Sequence, residues 1–134
     1  MQLEQVLINL VLNAIEAKRK STENLDAYDD YLRGLAAFDV SGNCEKRDDN
    51  DDALRLFYKA VELDPDFAAA YAMASVCFMR RKSNRWMLRR EGETAEAGRL
   101  ASQAARLGQD DATAVSRAGF VLARVVGDLD AVPR

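Results

Sequence analysis

Any chemistry in this chain has to be done without histidine, because none occurs among its 134 residues. That absence removes histidine-based triads, imidazole metal ligands and a phospho-accepting histidine together. Cys44 and Cys77 show no metal or redox spacing, and two cysteines do not make a disulfide framework. A reducing cytoplasm suits them best. No glycine run could cradle a phosphate. What remains is a basic segment, Arg80-Arg81-Lys82-Ser83-Asn84-Arg85-Trp86-Met87-Leu88-Arg89-Arg90, with six basic residues and no acid. Phosphate contacts and stacking on Trp86 would be its chemistry with RNA or DNA. The plainer expectation is that the segment folds back, with Trp86 and Met87 covering an edge. Its arginines would then face Glu23–Asp66, where thirteen acidic residues outnumber five basic ones. A net charge of −3 also argues against a general nucleic-acid binder. The expectation is a non-enzyme with no catalytic residues, metal or cofactor.

The elements that would position such residues are helices. The chain is 49% apolar and 31% charged, with two prolines and seven glycines, which suits a water-soluble all-helical domain. Asp51 to Tyr71 organises the rest. Ala53, Leu56, Phe57, Ala60, Val61 and Leu63 recur at three- and four-residue steps along one helical face. Asp51 and Asp52 suit a first turn, where free N–H groups favour carboxylates. Leu63-Asp64-Pro65 stops the helix. A second pattern then begins with Phe67, Ala68, Tyr71, Ala74, Val76 and Phe78, giving a helix, a tight turn and another helix.

The spacing of Ala53, Phe57, Ala60 and Pro65 resembles the second helix of a tetratricopeptide repeat. A displacement of 44 residues carries these positions to Ala97, Ala101, Ala104 and Gln109. The same displacement carries Tyr71, Ala74, Ser75 and Phe78 to Val115, Ala118, Gly119 and Leu122. Because the family period is roughly 34 residues, an insertion of about ten is implied, at Arg80–Arg90. Ala60 and Ala104 are expected to be buried where paired helices touch. Leu25 to Val40 should form the first helix of repeat one, although its register depends on whether Gly34 or Leu32 takes the small-residue position. The resemblance implies an all-α right-handed solenoid of about two and a half repeats preceded by an extra apolar helix. It also implies a peptide-binding groove lined by Ala69, Ala72, Val76, Met79, Arg80, Thr113, Ser116, Phe120, Ala123 and Arg124.

The preceding stretch, LEQVLINLVLNAIEA at residues 3–17, is apolar but interrupted by Glu4, Gln5, Asn9, Asn13 and Glu16. A membrane span wants about 20 mostly apolar residues, and Met1-Gln2-Leu3-Glu4 lacks the basic start of a signal peptide. Gln5, Asn9, Leu10, Asn13, Ala14 and Ala17 are similar to the N box of histidine-kinase ATPase domains. In that family the asparagine at the position of Asn13 binds magnesium beside ATP. The match covers about fifteen residues and then stops. The glycine boxes and acceptor histidine have no counterpart, so no nucleotide binding is expected.

From Ser21 to Ala131 the chain resembles the repeat region behind the catalytic domain of some bacterial class III adenylate cyclases. The quoted stretches are STENLDAY, YLRG and ALRLFYKAVELDPDFAAAYA. The cyclase's catalytic residues have no counterpart here. These readings divide the chain into an N-terminal apolar helix, 1–20, and a repeat domain, 21–134, with a turn at Ser21–Asn24. The expected function is protein–protein interaction in the groove. An alternative is an accessory piece of a bacterial signalling enzyme of the cyclase or kinase type. The apolar residues Leu3, Leu7, Leu10 and Val11, with Val115 and Leu122 on a last helix lacking its partner, are expected to form a homodimer interface. Ala118 and Val125 would share that exposed face.

Overall fold

A computed structural model describes residues 2–38 and 46–126, with the backbone alone at 17–23 and 126. The turn expected at Gly127–Ala131 lies outside the described residues, as does most of the loop expected at Ser41–Asn50; the end of that loop, from Arg47 on, is helical. The fold is all-α, with no strand among the described residues. Helix α1 spans Leu3–Phe38, α2 Arg47–Leu63, α3 Ala68–Ser83, α4 Arg90–Leu107 and α5 Ala112–Val121, followed by a π-helical turn at Leu122–Val126. Each helix packs on the next, and α5 lies against both α3 and α4.

The break expected at Ser21–Asn24 does not occur, and α1 runs unbroken through it for 36 residues. Ser, Thr, Glu and Asn each cost a helix only tenths of a kcal/mol, and neither glycine nor proline interrupts the segment. The boundary drawn between residues 20 and 21 thus falls inside one continuous helix. Further on, the stop signals act as expected. Asp64 adopts extended dihedrals (φ −134°, ψ 91°), and its N–H closes the last turn on the Ala60 carbonyl. The Asp64 carboxylate accepts from the Asp66 N–H at 3.2 Å, so the turn before α3 is built by one side chain. Asp111 caps α5 by accepting from the Ala114 N–H at 3.0 Å.

Alanines make the close approaches. Ala53, Ala60, Ala97, Ala101 and Ala104 are fully buried, as is Phe57. Gly34 is the small residue of α1. A Cβ built there would stand 2.7 Å from Cε1 of Phe57, whereas Leu32 is exposed, which settles the register of this helix. The 44-residue displacement also carries the buried Ala70, Ala74 and Cys77 of α3 onto the buried Ala114, Ala118 and Val121 of α5. The expected exposure of Ala118 and Val125 is therefore corrected: both are fully buried. Contact with α3 and α4 together turns the stripe Ala114, Ala118, Val121 and Val125 inward. Leu122 is half-buried against the core, and Val115 remains exposed.

The insertion is shorter than expected, because α3 continues through Ser83 and Arg90 begins α4. At its start the Trp86 N–H donates to the Arg81 carbonyl at 2.7 Å and the Arg85 N–H to that of Lys82 at 3.2 Å. This paired closure ends α3 with Arg85 at φ 61°, in the left-handed region usually held by glycine.

Candidate functional site

Three helices share one concave face. Leu35 and Phe38 reach it from α1, Met73, Val76 and Met79 from α3, and Ser116, Arg117 and Phe120 from α5. Together they line an open, mostly apolar concavity of about 550 Å³. The three-to-four-residue steps on α3 and α5 account for this, since residues so spaced share one side of a helix. Phe120 is 51% exposed although it is large and aromatic. The Arg124 guanidinium lies over its ring at 5.2 Å, near enough for a cation–π contact. The Lys82 ammonium donates to the Arg124 carbonyl at 3.2 Å, tying the end of α3 to the π-helical turn. Arg80 shares the helical stripe of Met73 and Val76. Its Nε is buried with no hydrogen-bond partner among the described residues.

Among the groove residues expected from the sequence, Val76, Met79, Ser116 and Phe120 meet in this concavity. Thr113, Ala123 and Arg124 are exposed on the same C-terminal segment without lining it. Ala72 belongs to the core, because α3 is covered on most of its circumference. Ala69 opens instead on a smaller hollow beside the α2–α3 turn. Leu35, Phe38, Met73 and Arg117 were missed. For the first two the undecided register of α1 was the obstacle. Met73 and Arg117 lie one helical step from positions that were identified.

Within the basic segment, Arg81 is engaged with the protein itself, while Arg85, Arg89 and Arg90 are exposed. Arg81 donates through Nε to Asn50 at 2.7 Å, through Nη1 to Glu93 at 3.2 Å and through Nη2 to Asp51 at 2.5 Å. Asn50 is fully buried and donates onward to the Cys77 carbonyl at 2.9 Å. One guanidinium thereby joins α2, α3 and α4. Glu93 also accepts from the N–H groups of Leu88 and Arg89 at 2.8 and 2.9 Å, closing the entry to α4. Burial alone would raise the Glu93 carboxyl, but the Arg89 N–H, the Arg81 guanidinium and the Leu88 N–H outweigh it and hold it below the usual carboxylate range. Met87 packs against the core. Lys82, Arg85, Met87 and Arg90 line a hollow of about 310 Å³.

A second polar cluster ties α2 to α4. Tyr58 Oη donates to Glu96 at 2.5 Å, and Arg99 donates to the same carboxylate at 2.5 and 3.0 Å. The Arg99 hydrogen bond, with that of Tyr58, holds the Glu96 carboxyl low. Burial, then the Glu96 hydrogen bond and charge, pushes the Tyr58 hydroxyl above its ordinary value. Each group is satisfied by its neighbours, as structural clusters are.

The residues of the N-box-like stretch stand apart from these sites. Gln5 Nε2 donates to Asn9 Oδ1 at 3.2 Å, and Asn13 is exposed. No residue of 2–16 lines the concavities described above. Leu3, Leu7, Leu10 and Val11 are exposed, as are Ile8, Leu12 and Ile15. Among the described residues no group of three Cys, Asp or Glu is placed to hold a metal ion, and no helix is long and apolar enough to cross a membrane. No family model, curated protein or solved structure matches the chain.

Proposed function

We propose that this is a non-catalytic protein-interaction module of tetratricopeptide-like helical hairpins, whose concave face takes an apolar partner helix or peptide. One observation carries the reading: the alternate helices α1, α3 and α5 contribute apolar side chains to one open concavity. Helix-in-groove recognition needs such a surface, with anchors entering at i, i+3 or i+4, and i+7. Methionines suit it, because their unbranched side chains repack around differing partners. Arg117 adds a cation that would select an acidic flank on the ligand.

The test is fluorescence anisotropy with a labelled, leucine-striped helical peptide carrying glutamates beside the stripe, titrated with the full chain. Saturable binding is expected, with at least a tenfold loss in Phe120→Glu and Met79→Glu and none in the remote surface variant Arg106→Glu. Equal binding by all four proteins would refute the groove.

A further inference from the structure

The molecule contains an apolar concavity and, on the same chain, a helical arm whose large aliphatic side chains are mostly exposed. We infer that the two belong together between copies: the arm formed by residues 3–16 seats in the concavity of a second copy, reciprocally, to give a closed two-fold dimer. This rests on the reading of the concavity as a helix-binding groove.

Among the described residues, the aliphatic side chains of the arm do not join the core. Seven of its eight large aliphatic side chains between Leu3 and Ile15 are 52–73% exposed, and the eighth, Val6, is half-buried. Ala27 is the first residue of α1 to be fully buried among the described side chains. At 1.5 Å per residue, Glu16 lies about 16 Å beyond it along the axis. The groove borders the opposite end of α1, through Leu35 and Phe38. About 28 Å of continuous helix therefore separates Glu16 from Leu35, so the arm cannot enter its own groove while α1 stays intact.

Shape and charge favour the concavity over simple pairing of two arms. Stepped at 3.6 residues per turn, the arm is apolar over roughly two-thirds of its circumference. A facing helix covers one stripe of such a surface, whereas a trough lined by three helices wraps much more of it. The arm carries Glu4 and Glu16, and the first bases of the helix, Lys18, Arg19 and Lys20, follow it toward the body. The concavity presents Arg117, with Arg124 stacked on Phe120 at its side. The exposed aliphatic surface of two arms, with the groove surface it meets, is on the order of the ~1,600 Å² of a standard specific interface. Reciprocal exchange closes the assembly, so no arm or groove is left to propagate a chain.

Light scattering on the full chain tests this, with Leu10→Glu disabling the arm and Phe120→Glu disabling the groove. Both residues are exposed, and circular dichroism would check that both variants remain folded. The wild type should be a dimer at high micromolar concentration and each variant alone a monomer. An equimolar mixture should recover a dimer, because the Leu10→Glu chain keeps a groove for the intact arm of the Phe120→Glu chain. Arm-to-arm pairing would leave Phe120→Glu dimeric and the mixture unrestored, overturning the inference. A monomeric wild type, or a mixture that recovers nothing, overturns it as well. A monomer that still binds the labelled peptide through Phe120 would sink only the exchange and leave the proposed function standing.

Discussion

At the scale of single residues, backbone geometry and close approach set the consequences. Arg85 holds a left-handed conformation at the end of α3, which costs a side-chain-bearing residue about 1–2 kcal/mol. Its side chain is exposed. Arg85→Gly should therefore raise stability by up to about 1 kcal/mol, after the entropy that glycine loses on folding; chemical denaturation would show the rise. Two other glycines give a test of opposite signs. Gly34 abuts the buried ring of Phe57, whereas nothing lies within 4 Å of a Cβ at Gly119. Gly119→Ala should gain about 1 kcal/mol from helix propensity. In Gly34→Ala the same gain is offset by about 1–3 kcal/mol of overpacking, so its melting temperature should fall while that of Gly119→Ala rises. The alanine spacing made Ala60 and Ala104 readable as contact points, and both are buried. Gly34 was not readable in the same way. Only the meeting with Phe57, more than twenty residues away, distinguishes it from Leu32.

At the scale of helices, local punctuation was legible and tertiary demands were not. Asp64-Pro65 ends α2 because proline dictates the backbone wherever it falls. Ser21–Asn24 looked like a turn from polarity alone, and polarity does not break a helix. Ala118 and Val125 were expected on an exposed face because α5 was read as lacking its partner, whereas it packs against both α3 and α4. That is why Val121 and Val125 lie inside. Glu93 was also overlooked, although an acid in the first turn of a helix, able to reach back to the N–H of the cap, is a known entry signal. Its carboxyl titrates below an unfolded value of about 4.3. The sign follows: Glu93 adds stability above that value, and the addition fades as pH falls through its lower folded value. Glu93→Gln should thus be less stable than the wild type at pH 7. The gap between their urea midpoints should narrow by pH 3.

At the scale of the whole molecule, a packed body of α2 to α5 carries a helix that is only partly its own. The four expected groove residues that line the concavity, Val76, Met79, Ser116 and Phe120, lie on two helices whose spacing could be read locally. The contribution of α1 needed the register that its contact with α2 supplies. Amide hydrogen exchange should separate the two parts, because exchange follows local opening. Protection of residues 3–16 should increase as the chain is concentrated from low to high micromolar, while protection in α3 and α4 stays constant. Protection of the arm that is independent of concentration would point to folding back within one chain. The length of α1 has a mechanical consequence. The helix reaches the concavity through Leu35 and Phe38, and Leu3 stands about 48 Å from Leu35 along its axis. It is therefore a lever whose pivot is at the binding surface. A tilt of about 10° on seating a ligand against Leu35 and Phe38 would carry Leu3 through roughly 8 Å, so the groove and the far end of the rod are geared together by rigid helix alone.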